Sequence, residues 1–350
     1  MEDTNITGLE LYTTTNVTMV NDTTSNVLCY RVPVNSSVLW IASIIFLSLS
    51  LVICVGNGLV IIVCLKSSTL RSNYSSYLYI INLAVADFGA GLVLPVNILG
   101  LWYPEIMLFS SYVCAFRFSL FNFFGSASIY LLAALTYDRY VAITEPLRYH
   151  DIMTTRKHII ACFLAWVPAL LIGWLMPLLW HNPFDVCPSC TIGSNMSRNY
   201  YRFISIPVVT TISLFIIILY IRIFVIANRQ RKRISDLDVA SQMQAQEQYH
   251  SLKQQMKRLK VGLTIFAAYY ISFLPFFIII AVQMYGGVFN SLFLNTIRLL
   301  STFILPINSC VNPFIYTYKL PPIRQGLKLL MGMNTVEVEN NIHLAPPGEG

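Results

Sequence analysis

Long stretches of this chain carry almost no charge, and that constrains its fold more than any other feature. Residues 38–65, 158–184 and 203–221 contain no Asp, Glu, Lys or Arg. Residues 72–104 contain only Asp87, and 106–137 only Arg117. Residues 261–297 are again free of all four, and 288–318 hold only Arg298. A helix needs about 20 mostly apolar residues to cross the hydrocarbon core of a bilayer. The run 261–297 is too long for one crossing, and Gly286-Gly287 offers a turn inside it. Backbone polar groups in lipid must find partners within the chain, so each crossing is read as a helix. The expected fold class is an all-α membrane protein, a seven-transmembrane helix bundle with a short amphipathic eighth helix. Its spans fall at about 38–65, 74–101, 108–141, 158–180, 201–227, 256–284 and 292–318.

Composition agrees. Hydrophobic residues make up 56% of the 350 and charged residues 11%, against about 25% charged in an ordinary soluble domain. Mean hydropathy is +0.62. A cytosolic enzyme, a disordered chain and a nucleic-acid binder are thereby excluded. Eight cysteines are too few for a disulfide scaffold. Segments 66–71, 139–157, 222–260 and 319–328 hold 18 of the 23 Lys and Arg residues. The positive-inside rule makes those segments cytoplasmic. The expectation is a multi-pass plasma-membrane protein with its N-terminus outside and its C-terminus in the cytoplasm.

Three regions follow. Residues 1–37 form a polar extracellular N-terminus with glycosylation sequons at Asn5, Asn16, Asn21 and Asn35; Asn195 adds one after the fourth span. No basic-then-apolar signal peptide stands near Met1, so the first helix is expected to act as its own insertion signal. Residues 38–318 form the seven-helix domain, and 319–350 a cytoplasmic helix and tail. Pro321-Pro322 can start that helix. Ile323, Leu327, Leu329, Leu330 and Met331 among Arg324 and Lys328 suit it to the membrane surface. Residues 228–254, with the basic cluster 229–233, read either as a loop held by anionic lipid or as partner-binding extensions of the fifth and sixth helices. No repeat of the kind transporters carry is present.

Marks on successive helices resemble those of the rhodopsin-like G-protein-coupled receptors. They are Gly56-Asn57-Gly58-Leu59-Val60, Asn82-Leu83-Ala84-Val85-Ala86-Asp87, Asp138-Arg139-Tyr140 followed by Pro146-Leu147, then Trp166, Phe273-Leu274-Pro275 and Asn308-Ser309-Cys310-Val311-Asn312-Pro313-Phe314-Ile315-Tyr316. The likeness runs from about residue 40 to 330. The resemblance implies an extracellular ligand, a heterotrimeric G protein as cytosolic partner, and a shift between closed and open cytoplasmic faces. Asp138, Arg139, Tyr140, Pro146, Leu147, Tyr220 and Tyr316 are its coupling and switch residues. Asp87 lies mid-span, where an ionised carboxylate is costly. The resemblance groups it with Asn57, Ser128, Asn308, Ser309 and Asn312 around a sodium ion, and hard oxygen ligands suit such a cation. Protonation or a water-linked polar network is the other reading. No other metal and no cofactor is expected. The resemblance pairs Cys114 with Cys190 or Cys187 in the oxidising exterior. Cys190 is preferred, because Thr191-Ile192 can then drop an apolar residue over the pocket. Cys187 would be left for Cys29.

The chain departs from the family in informative places. Gln255 replaces the acid that often locks the third-helix arginine, which weakens that lock. Ile212 stands at the usual fifth-helix proline position, Phe273 at the usual sixth-helix tryptophan, and Tyr269 at the phenylalanine one turn below. Phe121 stands where amine receptors carry an aspartate, so a buried ammonium would lack a counter-charge. No lysine between 261 and 318 could hold retinal, and Pro306 takes that position. The cytoplasmic ends resemble those of adenosine and amine receptors, but the pocket matches neither. Phe118, Phe121, Phe273, Phe276 and Phe277, with Arg117 and Arg298 near the mouth, remain as candidate ligand contacts. They suit an anionic or aromatic small molecule, a chemosensory one included. In the bland reading the aromatics are packing and Glu105 or Asp185 satisfies the arginines. The rival to a receptor is a seven-helix transporter or pump, which needs a chain of ionisable groups across the membrane; only Asp87 lies at mid-depth. No nucleophile–base pair, metal cluster or phosphate loop suggests an enzyme.

Overall fold

The computed structural model describes residues 11–12, 32–33, 36–67, 74–108, 110–183, 190, 196–235, 242–286, 300–301 and 303–332. Helix α1 is Ser36–Lys66. Helix α2 is Tyr74–Val93, prolonged by Pro95–Trp102, with Pro95 at the first position, where no N–H is needed. A short helix, Pro104–Leu108, precedes α3, Ser111–Thr144. Ser110 caps α3 in the extended conformation by accepting from the Tyr112 N–H at 3.2 Å. The turn Pro146–Arg148 and the short helix Tyr149–Ile152 follow. Helix α4 is Thr155–Pro168, continued by wide π turns over Ala169–Leu175 and by Met176–Leu179. Helix α5 joins Arg198–Tyr200, a second π segment Tyr201–Ser205, and Ile206–Ser235. Helix α6 is Gln242–Gly286, α7 is Ile307–Lys319 and α8 is Pro321–Leu330. In the N-terminal segment, Leu11–Tyr12 and Val32–Pro33 pair as two-residue parallel strands.

Among the described residues, six helices are long and apolar enough to cross a membrane. The outer part of the seventh apolar run lies outside the described residues. Apolar residues cover the whole circumference of these helices. On α1, Leu39, Phe46, Ile53 and Val60 are buried while Trp40, Ile44, Leu47 and Leu51 face outward. Such all-round apolarity is what a lipid solvent requires. Two helices run past their apolar spans. Helix α6 starts at Gln242, well ahead of its apolar run, and α5 continues to Ser235. Gln, Met, Ala and Lys between 242 and 257 are good helix formers, so the helix outreaches the membrane rather than giving way to a loop.

Helix α3 sits centrally and packs against α2, α4, α5 and α6, while α1 packs against α2, α7 and α8. In lipid the apolar effect does not distinguish one helix neighbour from another, so close packing and interhelical hydrogen bonds select them. One polar tie links each of several pairs. Trp166 Nε1 donates to Asn82 Oδ1 at 2.9 Å, and Asn57 Nδ2 to the Ser309 carbonyl at 3.0 Å. Gln230 Nε2 donates to the Ile143 carbonyl at 2.9 Å, and Tyr285 Oη to the Arg202 carbonyl at 2.7 Å. Gly89 lets α2 close on α3, since a Cβ there would stand 2.1 Å from Phe124 Cε1.

Candidate ligand cavity and cytoplasmic switch

A cavity of about 920 Å³, its mouth included, opens between α2, α3, α5, α6 and α7. Aromatic side chains dominate its wall: Phe118, Phe121, Phe273, Phe276 and Phe277 all line it, with Tyr201 and Tyr269. Helical spacing explains this on α3, where Arg117, Phe118, Phe121, Asn122, Gly125 and Ser126 recur at intervals of three and four on one broad face. Along α6, Tyr269 stacks on Phe273 at 4.3 Å between ring centroids, and Phe273 on Phe277 at 6.2 Å. Arg117 marks the level of the Cys114–Cys190 disulfide. Its Nη2 donates to the Cys190 carbonyl at 3.4 Å, and its guanidinium carbon lies 4.4 Å over the Phe118 ring. Cys190 is held there by a disulfide to Cys114, with Cα atoms 5.6 Å apart. Among the described residues, no Asp or Glu lines the cavity. Arg298, Cys187, Cys29 and the sequon residues Asn5, Asn16, Asn21, Asn35 and Asn195 lie outside the described residues, as do Asp185 and Thr191-Ile192.

Sequence reasoning missed Asn122. It lines the cavity and also ties three helices together. Its Nδ2 donates to the Gly173 carbonyl of α4 at 3.0 Å and to Tyr200 Oη of α5 at 2.9 Å. Tyr200 Oη in turn donates to the Ile172 carbonyl at 2.8 Å. The available signal was an amide inside the apolar run 106–137, the kind of residue a bilayer tolerates only with partners.

Below the cavity Phe121, Gly125, Phe273 and Leu305 also border a second, smaller space of about 330 Å³, its mouth included, that reaches Ser128, Asn308 and Ser309. Asp87 is fully buried here. Its Oδ1 accepts from Ser309 Oγ and its Oδ2 from Asn312 Nδ2, both at 2.7 Å. Asn57 and Ser128 turn their donors to backbone carbonyls instead: Asn57 to Ile53 and Ser309, Ser128 to Phe124. Each of Asn57, Asn308 and Asn312 keeps a buried Oδ1 with no hydrogen-bond partner. A carboxylate among unpartnered amide oxygens is a donor set that fits a small hard cation.

At the opposite end Arg139 pairs with Asp138 on the same helix, and both are buried. Asp138 Oδ1 also accepts from Tyr149 Oη at 2.7 Å, and His158 Nδ1 stands 3.6 Å from it. Tyr220 hydrogen-bonds Thr136, and its hydroxyl stands 2.9 Å from where a Cβ on Gly262 would lie. Tyr140 packs beside Tyr220 around Ile143 and Ile223. Leu147 is almost wholly exposed at 97%. Tyr316 is fully buried against the α2–α3 core. The Gln255 side chain lies outside the described set.

A membrane-crossing helix bundle with an aromatic cavity at one end and a buried Asp–Arg pair at the other is the architecture of a transmembrane receptor. Comparison with known proteins agrees: residues 56–316 match the 7 transmembrane receptor (rhodopsin family). That is more than half of the chain, which therefore belongs to this family. Adenosine receptor A3 of Bos taurus is 28% identical over 316 residues, covering 85% of this chain and 93% of the relative. Probable G-protein coupled receptor 21 of Homo sapiens is 25% identical over 307 residues, covering 87% and 86%. Olfactory receptor 10A2 of Homo sapiens is 33% identical over 156 residues, covering 45% and 49%. The protein is a cell-surface G-protein-coupled receptor, and its relatives are receptors rather than members of a catalytic family.

Proposed function

We propose that this receptor is switched by a small aromatic ligand carrying a negative group, which enters from the outside and is oriented by Arg117. The observation that carries this reading is the cavity's polarity: six phenylalanines, an arginine at the outer level, and no acid on the described wall. Arginine presents a fork that matches a carboxylate or phosphate. A ligand ammonium would meet Phe121 with no counter-charge. The Lys and Arg asymmetry of the loops supports an outside N-terminus and a cytoplasmic C-terminus.

The ligand acts through differential contact. Phe121 and Phe273 separate the cavity from the Asp87 network, so a ligand pressing on them biases the polar core below. Sodium held by Asp87, Ser309 and Asn312, with oxygens of Asn57, Asn308 and Ser128, would add fixed charge to the closed arrangement. Opening of the cytoplasmic side releases Arg139 toward a heterotrimeric G protein. Pro275 and Pro313, each inside its helix, are the hinge points.

The test is nucleotide exchange on purified heterotrimeric G protein with the receptor in lipid nanodiscs. Aromatic acids, aromatic amines and neutral amides form the ligand panel. Acids should stimulate exchange, and Arg117→Gln should abolish their effect. Stimulation by amines, with acids inert, would overturn the anionic reading.

A further inference from the structure

The hydrogen-bond inventory around Asn122 says more about the ligand. Both amide protons of Asn122 are spent, one on the Gly173 carbonyl and one on Tyr200 Oη. A carbonyl can only accept, so the amide cannot be turned round without losing the Gly173 bond. Tyr200 is engaged too: its single proton goes to the Ile172 carbonyl, and its oxygen accepts from Asn122. Of this cluster's amide and phenol groups, only Asn122 Oδ1 keeps full capacity, and it can only accept.

We infer that Asn122 is a specificity residue that selects ligands carrying a hydroxyl or N–H donor at the end remote from their acid. The inference rests on the anionic reading above for the ligand's other end. Arg117 and Asn122 are five residues apart on α3, a rise of about 7.5 Å along the helix axis. The wall between them is aromatic, with Phe118 and Phe121 on α3 and Phe276 and Phe277 opposite. A flat ring bearing an acid on a short arm and a donor at its far end spans that distance. An ether or halogen at the same place would set lone pair against lone pair, and a bare ring would leave the buried amide oxygen unpaired. Sites that hydrogen-bond a ligand hydroxyl discriminate strongly against analogues lacking it.

The probes are 3-(4-hydroxyphenyl)propanoate, its 4-methoxy analogue and unsubstituted 3-phenylpropanoate, with the corresponding amides as a neutral series. Binding is measured on the purified full-length receptor by ligand-dependent thermal shift, and signalling by nucleotide exchange. The hydroxyl probe should bind at least about ten-fold more tightly than either analogue. Asn122→Ala should collapse that preference while the acids retain their dependence on Arg117. Tyr200→Phe, which keeps the size of the ring, removes one partner of Asn122 but leaves its Gly173 bond, so the amide keeps its orientation and the hydroxyl preference should persist. A purely structural Asn122 would instead lower binding of all three probes alike. Equal binding of the three acids in the wild type overturns the inference, as does a hydroxyl preference that survives in Asn122→Ala. A hydroxyl preference shared by acids and amides, with no advantage for the acid, upholds the role of Asn122 and removes the anionic reading. No binding by any probe at millimolar concentration overturns both.

Discussion

Lys319 at the end of α7 donates from Nζ to the Thr264 hydroxyl of α6 across 2.6 Å. Thr264 passes its own proton back to the Lys260 carbonyl at 2.7 Å, so its oxygen is free to accept. This tie holds α6 against α7 at the end of the bundle that carries Arg139. Gln255 carries no acid, and the Lys319–Thr264 bond is a charge-assisted tie between α6 and α7. Thr264→Val keeps the shape and removes the acceptor. Thr264 is half-exposed, so solvent discounts the bond to about 1 kcal/mol. Ligand-free nucleotide exchange should rise roughly five-fold in a two-state equilibrium. Unchanged basal exchange would remove the tie from the switch.

The Asp138–Arg139 pair has a second support in the Tyr149 hydroxyl. Hydrogen bonds to charged groups contribute about 1.5–3 kcal/mol. Tyr149→Phe leaves the ring beside His150 and His158 and removes the hydroxyl's bond to Asp138. Arg139 should then leave Asp138 more readily. Basal exchange on added G protein should increase, and pairing Tyr149→Phe with Thr264→Val should add the two effects, because the residues share no partner. A double variant no more active than either single would show one common element.

The helices were legible in the sequence because lipid imposes a simple rule, and 38–65 or 203–221 could hardly be anything else. The aromatic wall was legible because Phe118 and Phe121 fall on one face of a helix whose register Asp138-Arg139-Tyr140 sets. The ties were not. Lys319 and Thr264 are 55 positions apart, Asn122 and Tyr200 are 78 apart, and nothing local marks either pair. Nothing in the sequence marks Asn122 apart from its place in an apolar run, although the argument that singles out Asp87 applies to it as well. Hydropathy reports where a helix meets lipid, not where it begins, so the stretch of α6 from Gln242 to its apolar run carries no such signal. Ser128 and Asn57 are grouped with Asp87 through resemblance alone; their donors go to backbone carbonyls, which leaves their oxygens to face the carboxylate's surroundings.

Sodium should restrain the receptor through Asp87. Exchanging sodium for a bulky organic cation at constant ionic strength should raise ligand-free nucleotide exchange by about five-fold, the lower end of ordinary allosteric coupling. Asp87→Asn removes the one negative charge from a set otherwise made of hydroxyl and amide groups. That variant should respond alike to both salts. A sodium response of wild-type size in Asp87→Asn would rule out this carboxylate as the ligand.

Two glycines on facing helices give opposite forecasts for the same substitution. At Gly58 an added Cβ would lie 3.6 Å from Phe88 Cε2, an ordinary contact. Gly58→Ala should be neutral or slightly stabilising, since alanine gives up less backbone freedom than glycine when a helix forms. At Gly89 the added Cβ would stand 2.1 Å, 2.4 Å and 2.7 Å from three atoms of the Phe124 ring. The ring is part of a side chain, so it can move, but Phe123 packs against it at 4.9 Å and limits where it can go. Phe124 also borders the small space beside Ser128 and Asn308, so its displacement intrudes on the polar core. Overpacking of this kind costs about 1–3 kcal/mol. Thermal melting of the purified receptor should fall for Gly89→Ala and hold for Gly58→Ala. Sodium sensitivity should weaken in Gly89→Ala alone, and equal melting of the two variants would mean that α2 and α3 stand farther apart than this packing requires.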